Sequence, residues 1–113
     1  MVMLGHLAVP SWDELPASLS PEAVRVLRED LGFTGVVVSD DLGMGALAAW
    51  DPFQIVDLAV TAGIDLLLFV ITDAELAALV DHLAARVESG DVPLARVTES
   101  VTRVLRMQLG MGR

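Results

Sequence analysis

Two adjacent carboxylates, Asp40 and Asp41, stand just past three consecutive valines, Val36, Val37 and Val38, with Ser39 between them and Gly43 and Gly45 beyond. A carboxylate held rigidly can serve as nucleophile, general base or charge partner. The valine run, bounded by Gly35 and by polar residues, predicts a fully buried strand of the kind found in parallel sheets. The C-terminal ends of such strands are where α/β proteins build their sites. Asp40 is therefore the residue to explain, its plain alternative being a solvated or capping acid at a strand end. Asp41 follows it on an extended chain, so its side chain points the other way; it is expected to be a structural acid bonded to amides of the next turn. His6 lies near the end of an N-terminal apolar run, on the same side of the sheet as Asp40, and read alone it is a packed or surface histidine. Met44 in the loop is a candidate pocket residue, although methionine is more often filler. Trp12 and Trp50 read as half-buried loop residues, and His82 as a surface residue on the polar side of a helix.

The elements that must position these residues follow from periodicity and punctuation. Met1 to Val9 is mostly apolar and stops at Pro10, which predicts a strand; Ser11 to Ser18 is a loop broken by Pro16. Ser20 caps a helix with Pro21 at its first position, Val24, Leu27 and Leu31 on one face and Gly32 as its stop. After the valine strand, Phe53 to Thr61 is helical and ends at Gly63; Asp65 to Val70 is a further buried strand. Thr72 and Glu75 have capping-box spacing, and the helix they open carries a stripe of Leu76, Leu79, Val80, Leu83 and Val87. Pro93 opens a last helix whose stripe is Leu94, Val97, Val101, Val104 and Leu105. The expected order is β-α-β-α-β-α-α, with parallel strands joined by right-handed crossovers.

Composition removes several classes of function. The chain has 113 residues, 54% apolar and 20% charged, which suits one folded domain and not a disordered segment. Its net charge of −9, with every basic residue an arginine, repels polyphosphate and argues against nucleic acid. The absence of cysteine excludes disulfides and thiolate metal sites. Its longest apolar stretch, Ile64 to Ile71, is interrupted by Asp65 and falls far short of the roughly 20 residues of a membrane span. No basic segment precedes an apolar one at the start, so a cytoplasmic location is expected unless the natural start lies upstream. A phospho-accepting receiver fails for want of a lysine, and no G-x-G-x-x-G turn supports dinucleotide binding.

Five segments in order carry a resemblance: VMLGHLAVP (Val2 to Pro10), PASLSP (Pro16 to Pro21), LGFTGVVVSDDLGM (Leu31 to Met44), TAGIDLLL (Thr61 to Leu68) and ESVTRVL (Glu99 to Leu105). Together they resemble the C-terminal part of the catalytic TIM barrel of glycoside hydrolase family 3, in its β-N-acetylhexosaminidase branch, over nearly the whole chain. The resemblance implies an α/β fold: a partial (β/α)8 barrel whose three parallel strands correspond to the sixth, seventh and eighth, with their helices and a C-terminal helix. Residues 1–113 would then be the C-terminal portion of that catalytic domain. It implies a retaining hydrolase of terminal β-linked N-acetylglucosamine, active in cell-wall amino-sugar metabolism and peptidoglycan recycling, with no metal or organic cofactor. In the family the first acid after the strand serine is the nucleophile, which is Asp40 here. His6 and Met44 fall where the sugar pocket would be.

A barrel of this type needs eight strands and about 250 residues. In the family the acid/base histidine sits on a mobile loop after an earlier strand. An arginine and a lysine–histidine pair that hold the sugar also come earlier, and a chain without lysine cannot supply that pair. The expectation is a fragment that carries the nucleophile position without its acid and is inactive alone. Open sheet edges would favour self-association or a partner chain. The alternative function is a non-catalytic half-barrel interaction module, or one half of a split enzyme.

Overall fold

The computed structural model describes residues 1–110. Two short strands, β1 (Val2–Leu4) and β2 (Val37–Ser39), pair in parallel, with Val2 opposite Val37, Met3 opposite Val38 and Leu4 opposite Ser39. Four helices follow the chain: α1 (Pro21–Arg25), α2 (Pro52–Ala62), α3 (Asp73–Glu88) and α4 (Leu94–Gln108). Single 3-10 turns at Ala17–Leu19 and Gly45–Leu47 complete the ordered loops.

Local chemistry accounts for the helix boundaries. Ser20 caps α1 by accepting the Ala23 N–H at 3.1 Å, with Pro21 in the first turn, where its missing N–H costs nothing. The helix widens at Val26–Asp30 into a π-type turn and closes at Gly32, which adopts φ +66°. Asp51 and Gln54 form a capping box on α2, and Thr72 and Glu75 form one on α3. Gly63 ends α2 with φ +110°, and a Cβ there would stand 2.8 Å from Val24 Cγ1. That glycine is thus required twice, by backbone conformation and by the close approach of α1. The core lies between one face of the sheet and the helices, where Val37, Leu19, Val24, Leu42, Ile55 and Ala59 are buried together. A second apolar cluster of Val56, Val60, Leu79 and Val92 joins α2 to α3 and to the turn before α4.

The three parallel strands of a partial (β/α)8 barrel are not what forms. The sheet has two strands, in a small domain with several helices. The segment at residues 65–70 lies beside β2 but makes one isolated parallel bridge, Val38 to Leu66. Its backbone is tied to β2 by Ser39 N–H to Leu66 O at 3.0 Å and to the loop after β2 by Leu42 N–H to Leu68 O at 2.8 Å. Its first donors, the Asp65 and Leu66 N–H groups, share the Val37 carbonyl at 2.8 and 3.2 Å, but further along the Leu68 and Val70 N–H groups bond the side chains of Ser39 and Asp41 at 3.0 and 3.2 Å. From Leu68 onward side chains take the place of a ladder, so the run does not become a regular strand. The N-terminal strand is also shorter than its apolar run predicts. It stops at Leu4, and Ala8 then makes an antiparallel bridge to Pro16.

Candidate active site

Asp40 stands one residue past β2, and its N–H bonds Leu4 O across the sheet at 3.0 Å. Both strand neighbours are thereby fixed before the carboxylate begins. One carboxylate oxygen accepts the Asp41 N–H at 2.7 Å. The other has no hydrogen-bond partner among the described residues, and the side chain is partly exposed. Strand alternation puts Asp40 on the same face as Val38, which is the face turned away from the helices.

Asp41 is the knot of the loop. Its Oδ1 accepts the Gly43 N–H at 2.9 Å and the Val70 N–H at 3.2 Å, so it ties its own turn to the third segment. This is the structural role read from its position in the sequence, extended to a second element. Its backbone carbonyl accepts the Nε2–H of His6 at 2.7 Å, and Nδ1 of the same ring meets Ser18 Oγ at 2.7 Å. Continuing the β1–β2 register by two residues brings His6 level with Asp41, not with Asp40. His6 therefore faces protein with both ring nitrogens. Met44 lies on the same loop, 45% exposed, and is bonded through its N–H to Asp41 O at 3.3 Å. Trp50 is half-buried against the core, and Trp12 is exposed.

His82 departs from its expected place at the surface. Its Nε2 is 2.9 Å from Asp57 Oδ1, and its ring centroid lies 5.0 Å from that of Phe53, which joins α3 to α2. A cavity of about 220 Å³ between these helices and the loop is lined by Leu42, Gly43, Phe53, Phe69, Ile71 and Leu79. Its wall is apolar, and Glu75 at its edge is committed to Thr72. Among the described residues no group of three His, Cys, Asp or Glu stands close enough to hold a metal ion. No described helix is long and apolar enough to cross a membrane.

The residue that sequence reasoning missed is Asp65. Its side chain is fully buried and accepts four hydrogen bonds. Arg28 Nη2 at 2.7 Å and the Val37 N–H at 3.0 Å reach one oxygen; Ser100 Oγ at 2.6 Å and Arg103 Nη1 at 2.9 Å reach the other. Arg96 approaches within 3.8 Å while bonding the Val60 and Ile64 carbonyls. Burial pushes the Arg28 and Arg96 guanidiniums below their usual range; the charge of Arg103 adds to this, and Asp65 opposes it. This hub fixes the base of β2, at the opposite end from Asp40, to the helices on either side. Two signals pointed to it: an acid inside an apolar run, and Arg96, Ser100 and Arg103 spaced at i, i+4 and i+7.

Comparison with known proteins identifies the family of the chain. The family model described as "Glycosyl hydrolase family 3 N terminal domain" matches residues 1–107. The match is to the N-terminal domain, so it lends no support to placing the chain in a C-terminal part of a barrel. "Beta-hexosaminidase LpqI" of Mycobacterium tuberculosis is 40% identical over 117 residues, which cover 95% of this chain and 29% of that protein. "Beta-N-acetylglucosaminidase/beta-glucosidase" of Cellulomonas fimi is 32% identical over 98% of this chain and 22% of its own length. A solved family 3 β-N-acetylglucosaminidase from a Paenibacillus species superposes with a TM-score of 0.88 at 37% identity, over 96% of this chain and 21% of that one. The chain thus spans less than a third of the curated relatives it matches.

Proposed function

The chain belongs to glycosyl hydrolase family 3, and on that premise we propose that it contributes the nucleophile of a β-hexosaminidase, with Asp40 as the attacking carboxylate. The observation that carries this reading is Asp40 itself: anchored through its backbone to β1, held at one oxygen by the Asp41 N–H, and free of protein partners at the other among the described residues. In a retaining reaction that free oxygen attacks the anomeric carbon while the glycosidic bond breaks, giving a glycosyl ester that water then hydrolyses. The names of the relatives support a terminal β-linked N-acetylglucosamine as the sugar. His6 and Met44 border the loop on either side of the nucleophile, Met44 as the exposed apolar contact for the sugar ring.

The departing oxygen must be protonated, and neither of the two histidines of this chain is placed to do it. His6 spends both ring nitrogens inside the protein, and His82 lies between α2 and α3 against Asp57. The 113 residues therefore act as a fragment of the catalytic unit, with the acid/base supplied from residues outside them. General acid catalysis is worth about 10²–10⁴-fold, so a substrate whose leaving group needs no proton isolates the contribution of Asp40. The experiment is intact-mass spectrometry after incubation with a 5-fluoro-N-acetylglucosaminyl fluoride. The expected result is one sugar added to the chain, located by peptide mapping on Asp40 and absent from Asp40→Asn. A label on any other residue, or equal labelling of Asp40→Asn, overturns the assignment.

A second reading has its own observation. Met3, Leu68 and Val70 are 55%, 42% and 78% exposed on or beside one sheet face, which favours an interaction module or one half of a split enzyme that pairs through this face.

A further inference from the structure

We propose that His6 is a positioning residue for Asp40, acting through the Asp41 peptide and not through the sugar. The role rests on Asp40 being the nucleophile, but the geometry that motivates it is independent of any substrate. A backbone carbonyl can only accept, so the 2.7 Å contact between His6 Nε2 and Asp41 O assigns the ring proton to Nε2. In the neutral ring Nδ1 is then an acceptor, filled by the Ser18 hydroxyl at 2.7 Å. Ser18 is fully buried, in a turn pinned by Ala17 N–H to Leu7 O at 2.9 Å and by Ser18 N–H to Gly5 O at 3.0 Å. The imidazole is thus a strut from a fixed turn to the nucleophile loop.

What it holds matters. The Asp41 N–H is the donor that fixes one oxygen of Asp40 at 2.7 Å, and it turns with the rest of residue 41. The carbonyl of that residue has two donors, His6 Nε2–H at 2.7 Å and the longer Met44 N–H at 3.3 Å. Without the ring, the carbonyl keeps only the longer bond and its peptide is held from one side, by the Leu42 N–H to Leu68 O at 2.8 Å, so the Asp40 carboxylate gains rotational freedom that a nucleophile must not have. A packed histidine would serve as well with any ring; a strut needs the donor at Nε2.

The test separates these roles with His6→Phe, which keeps a ring and loses the donor, and His6→Gln, which can restore an N–H. Labelling of the full chain by the 5-fluoro sugar fluoride is followed against reagent concentration, and amide hydrogen exchange is read at Asp41 and Gly43. In His6→Phe the limiting labelling rate is expected to fall about 10–100-fold, with the half-saturating concentration unchanged and exchange at Asp41 faster. His6→Gln is expected to recover most of the rate. If His6→Phe fails to fold, Ser18→Ala keeps the ring but loosens it, and a fall in the same limiting rate supports the role. Wild-type labelling kinetics in His6→Phe, or in Ser18→Ala where His6→Phe does not fold, overturn the proposal, as does a change confined to the half-saturating concentration. Absence of labelling in the wild type instead overturns the nucleophile reading. Exchange at Asp41 then decides alone, unchanged exchange in His6→Phe overturning the strut.

Discussion

At the scale of single residues, the largest electrostatic commitment in the molecule is made away from the proposed chemistry. Asp65 is fully buried between Arg28 and Arg103, with every lone pair direction in use. Replacing it leaves two or three guanidiniums without their counter-ion, and breaking a buried pair from one side costs about 3–5 kcal/mol. Asp65→Asn is therefore expected to lower the urea midpoint sharply. Asp40→Asn, which removes only a partly exposed carboxylate bonded to its neighbour, is expected to leave that midpoint in place while abolishing labelling. Equal losses of stability in the two variants would refute this division of labour between the two ends of β2. The sequence made the site end of the strand legible because an acid after a valine run is conspicuous. It hid the other end, because Asp65 reads as a defect in an apolar run and Arg96, Ser100 and Arg103 read as the solvent face of a helix. Only the fold shows that α4 turns those polar residues inward, with Ser100 buried and Val101 and Leu105 half exposed.

At the scale of elements, caps and stops were readable and pairing was not. Ser20, Thr72 with Glu75, and Gly63 act locally, so their types and spacing suffice to place α1, α3 and the end of α2. Whether residues 65–70 become a strand depends on where Ser39 and Asp41 send their side chains, which no local pattern encodes. Two predictions belong here. Gly63→Ala imposes a left-handed residue, worth about 1–2 kcal/mol, and adds the contact with Val24, so it should cost at least that much in chemical denaturation. A loss below that range would show that α1 can shift. The second concerns pH. The Thr72 N–H and hydroxyl hold the Glu75 carboxyl below its usual range, so its contribution to α3 is complete above the unfolded pKa and is lost as pH falls through the folded one. Amide exchange at Thr72, measured relative to its intrinsic rate at each pH, should quicken on acidification through that range before the rest of α3 responds. In Thr72→Ala, which lacks the hydroxyl, the quickening should be weaker. Uniform acceleration along the whole helix would count against the cap as its cause.

At the scale of the molecule, the helices cover one side of the sheet, and on the other Val36 and Val38 are buried while the flanks are not. Val37, Leu4, Leu67 and Phe69 face the helices and their core. Met3 and Val38 share a row, and Leu66 extends it through the bridge, with Leu68 next on the same face. Two of these are wide open to solvent, Met3 at 55% and Leu68 at 42%. β1 is in addition an edge strand, with β2 as its one partner in the sheet. A contiguous apolar face beside an unpaired edge is an association surface in a protein with nothing else to cover it. The net charge of −9 opposes self-association at long range but is screened at physiological salt, so apolar contact should prevail. The chain on its own is therefore expected to show concentration-dependent association by sedimentation velocity, strengthened by added salt. Leu68→Lys places a charge in the middle of the face and should return the chain to monomer without disturbing α2 or α3, since Leu68 belongs to neither core cluster. A partner chain that covers the same face should compete with self-association and protect the Leu68 amide from exchange. A monomer at every concentration with a single sharp unfolding transition would mean that this face is tolerated in water, and the interaction reading would fall while the Asp40 chemistry stood untouched.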